Sequence, residues 1–212
     1  IQIVSLGNIQ NLCFMETYEI YLGGDFITSE QKLQVNNPYD KQAFAQTYLA
    51  DDEILEQAIE KGLEAEATMA ALPDYKRYEI LHQISMGIQG NRSRLARVIA
   101  REAGKPMKFA LGEIDRAAQT FQVAAEEAKR RPAEYFSIDW TPAGEGKEGL
   151  MKHVPIGLVA GISPFNFPMN LAAHKIAPAL AAGNPIILKP ARSTPLSVLE
   201  LAKIAAQTDL PA

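Results

Sequence analysis

Ile156-Gly157-Leu158-Val159-Ala160-Gly161-Ile162-Ser163-Pro164-Phe165-Asn166-Phe167-Pro168 is the stretch on which the fold turns. The nearly continuous apolar run to Ile162 predicts a strand buried on both faces. A turn rich in proline and aromatics follows. From Pro168 to Ala182 the sequence predicts a helix, with Gly183-Asn184 as its stop. Pro185 to Leu188 is a second apolar strand, so the order is strand, helix, strand. That order makes a βαβ unit with parallel strands and a right-handed crossover. Thr194 as N-cap, with Pro195 at the first helical position, predicts one more helix carrying Leu196, Leu199, Ala202 and Ala206 on its apolar face.

In such a unit both strands finish at one edge, about 5 Å apart. Ser163 to Asn166 and Lys189 to Arg192 are therefore neighbours, in the crevice where open α/β sheets bind ligands. Lys189 suits a phosphate or ribose oxygen as a point charge, and Arg192 adds a planar fork matched to phosphate. For an isolated Lys-Pro pair a solvated loop would be the better reading. Asn166, Asn170 and His174 are spaced by four and predict a polar stripe beside Leu171 and Ile176. Asn166 has two readings, a cap for the helix or a side-chain N–H donor to a developing oxyanion, worth on the order of 3 kcal/mol. Asn170 and His174 suit the wall of a substrate channel; a satisfied, half-buried histidine is the other reading of His174. The three histidines lack metal-ligand spacing.

Upstream, residues 1–14 carry no charge and no period, and read as a leader or tag outside the fold. Cys13 lies there with no His or Lys beside it to lower its pKa, so it reads as an incidental thiol rather than a nucleophile. Tyr18 to Tyr48 alternates in short stretches broken by Gly23-Gly24 and Asn36-Asn37-Pro38-Tyr39-Asp40, which predicts strands and turns. From Asp51 the period becomes helical through Leu55, Ile59, Gly62 and Met69, with Asp51 or Asp52 as N-cap. A second helical stretch from Tyr78 breaks near Gly90-Asn91, resumes through Leu95 and Ile99, and stops at Gly104-Lys105-Pro106. The third has the clearest period, in Leu111, Ile114, Ala118, Phe121, Ala125 and Ala128. Its charges Glu113, Arg116, Glu126, Glu127, Lys129 and Arg130 read as one solvated face without a site. Tyr135 to Met151 then reads as two short strands around a Gly/Lys turn. The turn is no P-loop, because Thr141 stands where that pattern needs glycine and Glu148 where it needs a hydroxyl.

Bulk properties narrow the function. The chain has 212 residues, 47% hydrophobic and 22% charged, enough for a sizeable core. A formal net charge of −4 argues against nucleic-acid partners. No apolar run is long enough to span a membrane, and one cysteine fits a reducing, cytoplasmic setting. A two-stranded parallel sheet leaves an open edge and an uncovered face, so more chain or a partner is expected to complete it.

Three motifs together, Ile162 to Pro168, Lys175 to Asn184 and Leu188-Lys189-Pro190-Ala191, closely resemble the aldehyde dehydrogenase superfamily. Val35 to Asp40 and Arg101 to Pro106 occupy the expected order upstream, and the resemblance runs from about Tyr18 to Ala212. It implies an α/β fold, the N-terminal part of a Rossmann-like parallel-sheet cofactor domain with an oligomerisation hairpin, and incomplete. The implied division is 15–134 as the N-terminal part of the cofactor-binding domain, 135–152 as the hairpin and 153–212 as the start of the βαβ core. By resemblance Asn166 is the oxyanion-hole asparagine, Ile162, Ser163 and Phe165 border the nicotinamide ribose, and Lys189 holds the adenosine ribose. Family members often carry glutamate where Arg192 stands, and arginine tolerates a 2′-phosphate, so NADP is expected to serve at least as well as NAD.

The variant Pro-Phe-Asn-Phe-Pro-Met-Asn-Leu-Ala-Ala-His looks most like the lactaldehyde and non-phosphorylating glyceraldehyde-3-phosphate dehydrogenase branch. That implies a small polar aldehyde facing Asn170 and His174, oxidised through a thiohemiacetal and a thioester to the acid, in a homo-oligomer. The family's nucleophilic cysteine and general-base glutamate match nothing here, so the chain alone is expected to be inactive. The alternative is a non-catalytic cofactor-binding or assembly fragment that needs a partner chain.

Overall fold

The structure is a computed structural model and describes residues 15–211. The 1–14 leader reading, and Cys13 with it, lies outside the described residues. Five short strands open the fold: β1 (Glu16–Thr17), β2 (Ile20–Leu22), β3 (Asp25–Ile27), β4 (Lys32–Asn36) and β5 (Ala43–Tyr48). They form a β1-β5-β4 sheet and a β2-β3 hairpin. Four helices follow, α1 (Asp52–Ala71), α2 (Asp74–Gly90), α3 (Arg92–Ala103) and α4 (Met107–Ala128). The α2–α3 break falls at Asn91, whose side chain donates back to the Gly87 carbonyl. Gly104 ends α3 in the left-handed region, φ 64°, where glycine carries no Cβ penalty.

One core joins this helical layer to the βαβ unit. Ile80, Leu81, Ile84 and Ile88 of α2 meet Ile114, Phe121 and Ala125 of α4, and Met169, Ala173 and Ala177 of the next helix pack against them. Small residues on α4 and on that next helix let the two approach closely, while the branched residues of α2 fill the space between. Strands β6 (Ala133–Ser137) and β7 (Glu148–Lys152) pair antiparallel. Tyr135, Phe136, Leu150 and Met151 on this hairpin are exposed.

Strand β8 (Val159–Ile162), helix α5 (Pro168–Ala181) and strand β9 (Ile186–Lys189) form the predicted unit. The strands are parallel, with Val159 opposite Ile186 and Ile162 opposite Lys189. Gly183 closes α5 at φ 83°, and a Cβ there would lie 2.6 Å from Nη1 of the buried Arg77. Helix α6 (Leu196–Ala205) packs on α3 and α5.

Three sequence expectations need correction. The run from Ile156 is extended in the sheet only from Val159, and it is not buried on both faces: Ile156 is 86% exposed and Ile162 71%. Strand β8 has one neighbour, β9, so part of the run has nothing among the described residues to cover it. Thr194 does not cap α6, and its buried hydroxyl has no partner. Glu113 is not on a solvated face; it is buried to 1% exposure. It occupies the apolar stripe of α4, three residues after Ala110 and four before Ala117.

Candidate functional site

The carboxyl ends of β8 and β9 meet as parallel pairing requires. The Ser163 N–H donates to the Lys189 carbonyl at 3.1 Å. Beyond that contact the two loops border one crevice of about 280 Å³, with Phe165 and Asn166 on one side and Ser193 and Thr194 on the other. Glu102 and Lys105, from the end of α3 and the turn after it, also line it. Ser163 is buried with an unpaired Oγ, Phe165 is exposed on the crevice wall, and Ile162 is exposed at the end of β8. Lys189 and Arg192 are exposed at the end of β9. The five residues predicted to bind the cofactor therefore lie at one sheet edge: two apolar surfaces, one buried unpaired hydroxyl and two cations.

Helix α5 leaves its first N–H groups to be satisfied, as every helix does. Pro168 has none to offer. Those of Met169 and Asn170 both donate to Glu113 Oε1, at 3.1 and 3.2 Å, and that of Leu171 donates to the Phe167 carbonyl at 2.9 Å. The N-cap position is Phe167, which makes no side-chain cap bond, and Glu113 takes both free N–H groups, so Asn166 does not cap this helix. Asn166 is exposed, and its backbone carbonyl accepts from Lys105 Nζ at 2.9 Å. Lys105 also pairs with Glu113 Oε2 and sits 4.0 Å above the Phe167 ring.

The start of α6 repeats the device. The N–H groups of Leu196 and Ser197 donate to Glu102 at 2.7 and 3.0 Å. Burial pushes the Glu102 carboxyl up to about 7, and the charge of Glu113 adds to it, against the lowering effect of those N–H bonds. The chain entering β8, at the end away from the crevice, is tied similarly: Asn184 Oδ1 accepts from Ile156 and Gly157, and Glu66 Oε1 accepts from Leu158.

The polar stripe on α5 divides. Asn170 is buried, 1% exposed, with Oδ1 unpaired. His174, one turn later, is exposed and lines a separate groove of about 660 Å³ between α4 and α5, with Arg116, Thr120, Arg131 and His153. The structure does not bring Asn166, Asn170 and His174 into one cavity. The arginines of this groove belong to the α4 face and its continuation, to which charge patterning alone assigns no site. Among the described residues no cluster of three or more His, Cys, Asp or Glu is arranged for a metal, and no helix is long and apolar enough to cross a membrane.

Comparison with known proteins gives a consistent result. The sequence profile described as the aldehyde dehydrogenase family matches residues 26–212. The 3-sulfolactaldehyde dehydrogenase of Priestia aryabhattai is 36% identical over 201 residues, 95% of this chain and 42% of that protein. The NADP-dependent glyceraldehyde-3-phosphate dehydrogenase of Streptococcus equinus is 32% identical over 196 residues, 92% of this chain and 41% of that protein. Among solved structures, aldehyde dehydrogenase 21 from Physcomitrella patens, in complex with the reaction product succinate, superposes with a TM-score of 0.90 at 37% identity. The match covers 92% of this chain and 41% of that one. The chain thus spans about two fifths of the length of the relatives it matches.

Proposed function

The chain belongs to the aldehyde dehydrogenase family, and we propose that it supplies the cofactor crevice and the oxyanion donor for NAD(P)-dependent oxidation of a small polar aldehyde to its acid. The observation that carries this reading is the release of Asn166 from capping: Glu113 takes both free N–H groups of α5, and the Asn166 side chain is left beside the crevice. An amide N–H held there stabilises the oxyanion of the thiohemiacetal more than it stabilises the aldehyde carbonyl.

The residues present fit a dinucleotide. Lys189 would hold the adenosine ribose, and Ile162, Ser163 and Phe165 would border the nicotinamide ribose, where exposed apolar surface and an unpaired buried hydroxyl stand together. The bound cofactor supplies the hydride acceptor. Arg192 beside Lys189 favours a 2′-phosphate, so NADP is the proposed preference; the NADP-dependent relative supports it.

Asn170 and His174 are the proposed substrate-side groups. The cations around His174 suit an anionic end such as the sulfonate, phosphate or carboxylate in the names of the relatives, and Asn170, one turn earlier on the same helix, carries a buried, unpaired Oδ1. The nucleophilic thiolate and the general base are proposed to come from sequence outside these residues. The exposed Tyr135, Phe136 and Leu150 support an oligomerisation role for the 135–152 hairpin.

Steady-state kinetics on the complete protein carrying this sequence test the assignment with two variants. Asn166→Ala should lower kcat by about 10²-fold with aldehyde KM little changed, and an unchanged kcat would refute the donor role. Arg192→Glu should weaken NADP relative to NAD; an unaltered ratio would remove the NADP preference.

A further inference from the structure

We propose that Lys105 and Glu113 are positioning residues for Asn166, clamping the Asn166–Asn170 segment from the helical layer so that the amide is held ready before substrate arrives. The inference rests on the donor role of Asn166 and goes beyond it by naming the pair that makes that role possible.

Two side chains grip this short segment at four places. Lys105 Nζ takes the Asn166 carbonyl at 2.9 Å and lies 4.0 Å from the Phe167 ring centre. Glu113 Oε1 takes the N–H groups of Met169 and Asn170. The two grips are joined, because Lys105 Nζ also pairs with Glu113 Oε2. Glu113 is wholly buried and the Lys105 side chain is 13% exposed, so the pair is screened little by water.

Nothing local replaces this clamp. Pro164, Phe165, Asn166 and Phe167 are exposed, and the N-cap residue Phe167 makes no side-chain cap bond. A transition-state donor must be held within about 0.5 Å of its working position, which such a loop does not achieve unaided. The polar contacts of Lys105 all lie at this junction, where its side chain meets the crevice, the loop and its partner carboxylate. A purely structural ion pair would have no need to bond the carbonyl of the one residue whose side chain is the proposed donor.

Lys105→Met in the complete protein tests this, with L-lactaldehyde and NADP as probes. The expected result is a kcat at least tenfold lower, with both KM values within twofold. Amide hydrogen exchange in residues 162–167 should quicken while α2 remains protected. In an Asn166→Ala background, Lys105→Met should cost nothing further in kcat, because the pair acts through Asn166. Lys105→Arg, which keeps the charge and a donor, should recover most of the lost rate. Glu113→Gln keeps an acceptor for the α5 N–H groups and is the second variant should Lys105→Met not fold; the same pattern is expected of it. Normal kcat with normal loop exchange would overturn the proposal, and so would a loss additive to that of Asn166→Ala. If Asn166→Ala alone is silent, the donor role fails; the exchange measurement then decides whether the clamp itself exists.

Discussion

Helix α1 is capped from within: Asp51, one residue ahead of it, accepts the Ile54 N–H at 2.9 Å. Helices α5 and α6 are capped from far upstream. Glu113 reaches the start of α5 across 56 and 57 residues, and Glu102 reaches the start of α6 across 94 and 95. The difference follows what each N-terminus has to do. The start of α1 faces solvent and carries no proposed role, so a local aspartate serves. The starts of α5 and α6 adjoin the crevice, where the preceding residues Asn166 and Thr194 line the wall. Capping from the helical layer satisfies the backbone without occupying those side chains, and it couples the site to a core already packed around α2 and α4.

The largest test of this contrast is removal of a remote cap. Glu113→Ala leaves two N–H groups without their acceptor and Lys105 without its counter-charge in a buried place, a loss of about 3–5 kcal/mol by analogy with broken buried pairs. Asp51→Ala removes one exposed cap bond and should cost about 1 kcal/mol. Urea denaturation of both variants measures the ratio, and equal losses would break the distinction between local and remote capping.

A smaller effect should appear as a pH slope. The Glu102 carboxyl is pushed up to about 7 by burial, above its ordinary value near 4.5. Below pH 4.5 it is protonated in folded and unfolded chains alike, and it contributes no slope. Between there and pH 7 the folded protein holds the extra proton, so its contribution to stability falls as pH rises, and the loss is complete above that range. Glu102→Gln carries no such proton. Thermal midpoints between pH 5 and 8 should therefore decline less in that variant than in the parent, and parallel profiles would contradict the buried, raised carboxyl.

What the sequence made legible was periodic or contiguous. The β8–α5–β9 unit followed from two apolar runs and a glycine stop, and the α2–α3 break and the hairpin followed from turn residues. Asn166, Lys189 and Arg192 met at one edge because parallel strands must end together. Glu113 and Glu102 were missed because a charged residue on a helix is usually solvated, and lies buried only when paired. A faint signal existed: Glu113 sits among Ala110, Ile114 and Ala117, and Glu102 lies three residues after Ile99, so both interrupt apolar stripes. The stripe says that a carboxylate is buried but not what it meets, since its partners lie more than fifty residues downstream.

Thr194 gives the smallest effect and the sharpest contradiction between local pattern and fold. Thr-Pro before an apolar helix reads as N-cap and first helical residue, and on that reading Thr194→Val should cost about 1 kcal/mol. In the structure Glu102 holds the N–H groups of Leu196 and Ser197, and the Thr194 hydroxyl is buried without a partner. Valine keeps the shape and removes a polar group that makes no bond, which is neutral or slightly stabilising. Thr194→Val should therefore leave the unfolding free energy from urea denaturation within about 0.5 kcal/mol of the parent or raise it. A loss as large as that of Asp51→Ala would show that α6 relies on its own threonine and return the remote-capping scheme to α5 alone.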